Sequence, residues 1–236
     1  APMVALGDWS LDGLRRATGD GRPLTITRGD VVEATTNTVQ VSIVAAIVGV
    51  LAVLPIAFLV ARYRSRSGAL AHAIVISTFA LPGIVIALSM RFWTLQSDWA
   101  FDTFSDSMTL LIFAYVVRFG SLAMGVTLLA VQAVPTNVRD AARTLGAGRM
   151  RRFLTMDLRI MAPGLFAGAG LVLLSVMKEL PISLLIAPIG FSTLATRAFS
   201  SFEESFVAEA GIMATVLVIL SFVLSWLRVI RTADHL

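Results

Sequence analysis

The sequence predicts an all-α membrane protein, a bundle of about five transmembrane helices, and three observations carry that reading. Of the 236 residues, 57% are hydrophobic and only 14% are charged, against roughly a quarter charged in an average soluble domain. A soluble domain with so little charge would lack the polar groups to cover its surface. The apolar residues gather into five runs, each near the ~20 residues needed to cross ~30 Å of hydrocarbon. The polar connections between the runs then sort by sign of charge.

The first segment, 1–37, is mixed and polar, punctuated by Gly7-Asp8, Gly19-Asp20-Gly21 and Gly29-Asp30, pairs that favour turns. Within it, 9–17 suits one short helix lying at the membrane surface, with Leu11, Leu14 and Ala17 on one face. The membrane core is 38–230. Its first span is 38–60, with nothing charged between Ala34 and Ala61 and with Pro55 near its end. A basic turn follows, Arg62-Tyr63-Arg64-Ser65-Arg66. The second span, 68–90, is interrupted by Pro82-Gly83, and the connection 91–107 carries Asp98, Asp102 and Asp106 with Trp93 and Trp99 at the interface. The third span, 108–134, contains Arg118; the fourth, 163–186, contains Lys178, Glu179 and Pro181, with Pro163-Gly164 as its start. A mixed loop, 188–209, leads to the fifth span, 210–227.

Lys and Arg in short loops set orientation. One set of alternate connections holds 11 basic residues and 3 acidic ones, and the other holds 6 basic and 11 acidic. The first set, with the loop 135–162 and the C-terminus, is therefore expected in the cytoplasm, and the N-terminal segment outside. The net charge of +4 reflects this bias and calls for no nucleic acid. With no cysteine, disulfides and thiolate metal sites are excluded, and two histidines, His72 and His235, are too few for a histidine metal cluster. No metal site is expected.

The loop 135–162 organises the chain. It holds Arg139, Arg143, Arg149, Arg151, Arg152 and Arg159. Pro135 suits the first turn of a helix, which would place Val138, Ala141, Ala142 and Leu145 on one face until Gly146 ends it in left-handed geometry. A second short helix, from Ala147 to Leu158, is expected before the fourth span. Such a loop serves either as a basic anchor on anionic lipid or as a docking element. The glycine-punctuated helix pair, with small Ala141 and Ala142 admitting close approach, favours docking.

Asp140-Ala141-Ala142-x-x-x-Gly146, followed by Met156-Asp157-Leu158, resembles the signature cytoplasmic loop of permease subunits in bacterial binding-protein-dependent ABC importers. That family's pattern is Glu-Ala-Ala-x-x-x-Gly and then apolar-x-Leu-Pro; here Asp140 stands for Glu and Arg159 for Pro. The resemblance implies the type I importer permease fold, with this loop as coupling helices docked on an ATPase. Asp140, Ala141, Ala142, Gly146, Arg149 and Arg152 would then be the docking residues. Trp9-Ser10-Leu11-Asp12, Asn37-Thr38 and Leu81-Pro82-Gly83-Ile84 resemble further parts of such permeases. Met177-Lys178-Glu179-Leu180-Pro181, with Gly190-Phe191-Ser192-Thr193-Leu194-Ala195 and Arg197, is similar to the ferric-iron permeases. The chain resembles the C-terminal half of a fused permease without its first spanning helix. The implied partners are two ATPase subunits, a periplasmic substrate-binding protein, and a second permease subunit or a fused N-terminal half, in the bilayer of a bacterial inner membrane.

The only lysine is Lys178, so the chain has no Gly-x-x-x-x-Gly-Lys-Ser/Thr phosphate loop. It is expected to be a transport subunit rather than an enzyme, with ATP and Mg on the partner and no cofactor of its own. Arg118, Lys178 and Glu179 sit at membrane depth, where a charge costs ~2.5–3.5 kcal/mol on insertion scales. Either they line a translocation path or gate, with Pro181 breaking the helix beside them, or they pair with one another, Arg118 with Glu179, to hold spans together. Gly164-x-x-x-Gly168 suits interior helix packing. The expected function is ATP-driven import of ferric iron, alone or with a small anion, by alternating access. Thiamine, polyamine or phosphonate import is the alternative within the family, a secondary transporter the alternative outside it. An intramembrane enzyme ranks last, for want of His-Glu-x-x-His or Gly-x-Ser-x-Gly.

Overall fold

Polar caps, rather than the edges of the apolar runs, set where several helices begin. In the computed structural model, which describes residues 2–17, 26–63, 65–144, 146 and 148–233, α1 is Pro2–Ala17 and α2 is Arg28–Ala61. The Thr27 N–H and hydroxyl donate to Asp30 Oδ2 at 2.7 and 2.8 Å, and the Asp30 N–H donates to Thr27 Oγ1 at 3.3 Å. This reciprocal cap satisfies N–H groups that a helix start leaves bare. It starts α2 well before position 38, and Pro55 lies inside the helix.

The second span is broken. The helix α3 (Arg66–Ser77) starts where the Ser65 side chain accepts the Gly68 N–H at 3.0 Å. It tightens into one 3-10 turn, Thr78–Ala80, and Leu81 is extended at φ −77° and ψ 130°. Proline disfavours helical geometry in the residue before it, so Pro82 enforces that break. The next helix, α4, is Gly83–Leu95, and the chain bends by 110° between them. The connection read as a loop holds a further helix, α5 (Asp98–Phe104). Trp93 and Trp99 both pack on Phe104, with ring centroids 5.9 and 5.7 Å apart.

The helix α6 is Met108–Gln132, α7 is Thr136–Thr144 and α8 is Arg149–Arg152. The second loop helix does not close before the fourth span. It widens into a π-helical turn, Phe153–Asp157, and runs on as α9 (Leu158–Met177), with Pro163 inside it rather than at its start. A proline removes one backbone hydrogen bond, and a helix this apolar keeps going past such a loss when its faces are packed. Then come α10 (Pro181–Ile186), α11 (Leu194–Glu203) and α12 (Val207–Ala233). The described residues contain no strand. Four helices are long and apolar enough to cross a membrane, five if the bent α3–α4 pair is one span.

The chain divides into two compact units. One comprises Ala1–Ile43, Gly83–Ala114 and Leu174–Leu236. In it α1 lies against α12 at glycines. A Cβ on Gly211 would come within 2.8 Å of the Trp9 backbone carbon, and one on Gly13 within 2.7 Å of the Ala208 oxygen. Trp9 also packs on Phe202, with centroids 6.0 Å apart. Gly211→Leu is therefore expected to pry α1 off α12, because a backbone atom cannot rotate away. Protease cleavage in α1 should rise severalfold, and an unchanged cleavage rate would refute this packing.

The other unit comprises Val44–Pro82 and Tyr115–Leu173. Its α9 packs on α6 through both glycines of Gly164-x-x-x-Gly168. A Cβ on Gly164 would sit 2.6 Å from Ala130 Cβ, and one on Gly168 3.6 Å from Val126 Cβ. Buried Met124, Val131 and Met161 fill this unit at 0% exposure, while Leu51 and Phe166 stand out at 61% and 77%, as lipid-facing side chains do.

Candidate functional site

In α7, the Asn137 side chain accepts the Val138 N–H at 2.9 Å. Asp140 and Arg143 face outward and lie 3.6 Å apart, an exposed pair worth little to stability. Ala142 is buried at 3% exposure. The Gly146 N–H donates to the Arg143 carbonyl at 2.9 Å, and Gly146 adopts φ 76°, the left-handed stop that the sequence suggests. After the turn, Met150 is 70% exposed, whereas Arg152 is buried at 6%. Of the proposed docking residues, Asp140 and Gly146 are thus on the surface, and Ala142 and Arg152 face the chain's own interior. Leu145 and Ala147, and the side chains of Arg139, Ala141 and Arg149, lie outside the described residues.

The end of α2 holds this loop from beneath. Arg62 Nη2 donates to the carbonyls of Val131 and Val134 at 2.6 and 2.7 Å. Phe58 meets Phe153 edge-on, with centroids 5.8 Å apart. The sequence shows Arg62 only as one arginine of a basic turn, since its partners are backbone carbonyls far along the chain.

Arg118 lies mid-way along α6, half-buried, and its Nη1 is buried with no hydrogen-bond partner. Lys178 is exposed in the turn after α9, and Pro181 is the first residue of α10. The break between α9 and α10 is built from local bonds. The Glu179 N–H donates to Val176 O at 3.0 Å, and the Ser183 hydroxyl donates to Glu179 O at 2.7 Å. The Glu179 carboxylate reaches the start of α4: a Cβ on Gly83 would meet its Oε1 at 2.5 Å and Ile182 Cγ1 at 3.6 Å. A carboxylate at a helix N-terminus is favoured by the helix dipole. The break at Gly83 and the break at Glu179 therefore meet, a juxtaposition that neither stretch of sequence reveals alone.

The 190–197 stretch closes against the start of α2. Asn37 Nδ2 donates to Ser192 O at 3.2 Å, and the Leu194 N–H donates to Thr38 Oγ1 at 2.8 Å. Thr193 and Thr196 cap α11 reciprocally. Leu194 is fully buried with Ala34 and Met213. Arg197 lies 3.6 Å from Asp30, and the Ile189 N–H donates to Asp106 Oδ1 at 2.7 Å.

Residues 29–230 match the family model described as "Binding-protein-dependent transport system inner membrane component". The chain is 26% identical over 190 residues, 80% of its length, to the Fe(3+)-transport system permease protein FbpB 2 of Haemophilus influenzae, but spans only 37% of that protein. It is 38% identical over 71 residues to the molybdenum transport system permease protein ModB of Escherichia coli K12, covering 30% of this chain and 31% of that one. Its fold matches a chain of the inward-facing MetNI methionine ABC transporter with a TM-score of 0.68 at 18% identity, covering 86% of this chain and 96% of that one. The chain has the permease fold of type I ABC importers and belongs to the family of binding-protein-dependent transport system inner membrane components.

Proposed function

We propose that this chain forms the membrane path of an ATP-driven importer that receives ferric iron, alone or with a small anion, from an outer binding protein. The loop 135–162 docks on an ATPase subunit and carries its closing motion into the spans. One observation supports the docking role above all: α7 ends at Gly146 in left-handed geometry with Asp140 and Arg143 on its outer face. The nucleotide sits on the partner, since the only lysine, Lys178, lies outside any phosphate-binding motif. The meeting of the two helix breaks at Gly83 and Glu179 is the gate. Lys178, Glu179 and Pro181 supply its charge and its flexible backbone, and Arg118 is a further candidate for the translocation path. The basic loop faces the cytoplasm by the bias of Arg across the connections.

The ferric cargo is supported by the similarity to the Haemophilus permease over 80% of this chain. A molybdate-like oxyanion is the second reading, supported by 38% identity over a shorter stretch of the Escherichia coli protein. In proteoliposomes holding this chain with its ATPase, a ferric-loaded binding protein is expected to raise ATP hydrolysis and a molybdate-loaded one to leave it flat. The reverse response would overturn the ferric assignment.

A further inference from the structure

The chain must leave α6 and enter α7 within a few residues, and its sequence creates a hydrogen-bonding problem there. In an α-helix each carbonyl accepts from the N–H four residues on. For Val131 that residue is Pro135, which has no N–H. The Val134 carbonyl precedes α7, so it lies outside that helix's own bonding. Both residues are buried, at 0% and 2% exposure, so bulk water does not reach them. Buried backbone carbonyls left without a donor are rare and costly.

Arg62 supplies the missing donor. Its Nη2 bonds both carbonyls, at 2.6 and 2.7 Å, and places a cation at the C-terminal end of α6, where the helix dipole favours one. Arg62 directly follows α2 and is tied to its end, since its own N–H donates to Phe58 O at 3.0 Å. The turn beyond it is tight: a Cβ on Gly68 would come within 2.9 Å of Leu59 Cβ. On the other limb of the loop, Phe153 packs on Phe58 at 5.8 Å. The end of α2 thus grips the loop both before α7 and after α8.

We propose that Arg62 is a positioning residue that fixes α7 to the end of α2, so that a displacement of the loop moves the first span with it. This rests on the reading of the loop as an ATPase-docking element. A basic residue serving only as a lipid anchor would extend outward, as the exposed Arg66 does.

The chain contains no cysteine, so Tyr63→Cys with Asn137→Cys gives a unique spin-labelled pair spanning the clamp. In lipid nanodiscs the distance between the labels is expected to be narrow with Arg62, broad in Arg62→Met, and narrow again in Arg62→Lys, whose ammonium can donate to both carbonyls. With the ATPase and a ferric-loaded binding protein in proteoliposomes, Arg62→Met should still hydrolyse ATP but move about tenfold fewer ferric ions per ATP. Arg62→Lys should recover that ratio. A narrow distance or an unchanged ratio in Arg62→Met would overturn the proposal. If Arg62→Met does not fold, the double variant Arg62→Met/Pro135→Ala decides. It returns an N–H to the Val131 carbonyl and should recover folded protein; failure to recover it would count against the clamp. If no ATPase joins the chain even with Arg62 in place, the docking reading falls, and the nanodisc distance still judges the clamp on its own.

Discussion

Gly146→Val is expected to cut ATP-coupled uptake by one to two orders of magnitude while the spans stay folded. Gly146 holds φ 76°, and a side chain in left-handed geometry costs roughly 1–2 kcal/mol, more for a β-branched one. A Cβ built there meets nothing within 4 Å. The substitution therefore changes the direction in which the chain leaves α7 and crowds no neighbour. The strain falls on the loop that carries the proposed docking surface, and the helices that bury the core are untouched. Gly146→Asn should be far milder, because asparagine tolerates this region. Uptake and melting temperature measured side by side check this. Normal uptake in the valine variant would sink the docking role of the turn, and so would a melting temperature that falls together with uptake.

Gly164→Ala is expected to cost substantial stability by forcing α9 away from α6. The new Cβ would stand 2.6 Å from Ala130 Cβ and 3.4 Å from Ala130 Cα. Neither atom can turn aside, so α9 must move off α6. Overpacking of this kind typically costs ~1–3 kcal/mol. Gly168→Ala is the control: its nearest neighbours would lie at 3.6 to 3.8 Å, an ordinary contact. Removing the opposing methyl in Gly164→Ala/Ala130→Gly should restore most of the lost stability, which a double-mutant cycle in detergent would show. Equal losses at Gly164 and Gly168 would contradict the close approach.

The membrane spans were legible in the sequence because burying an apolar run in lipid needs no partner of known position. The helix break at Pro82 was legible too, since proline acts on its own neighbour. Helix limits were harder to read. The cap that starts α2 uses Thr27 and Asp30, both outside the apolar run. The continuous path from α8 into α9 hides Pro163 inside a helix, where proline would ordinarily mark an end. Short α5 and α11 are held by ring contacts and by the Thr193–Thr196 cap, signals too local to stand out against a loop.

For the site, the loop motif and the left-handed Gly146 were readable from residue types. The contacts of Arg62 were not, because a side chain that bonds carbonyls leaves no complementary residue to find. The same holds for Glu179, whose carboxylate lies against a glycine. What the sequence showed there was a proline and an unusual charge pair; what it lacked was the neighbour.

The most direct test of the central claim uses the absence of cysteine. A photocrosslinker placed on Asn137→Cys, an exposed position of α7, would report what the loop touches in native membranes. A crosslink to an ATP-hydrolysing subunit is expected, strengthened when nucleotide closes that subunit. Crosslinks to lipid alone, with no ATPase in any nucleotide state, would contradict the claim and leave the loop as a basic anchor on the membrane surface.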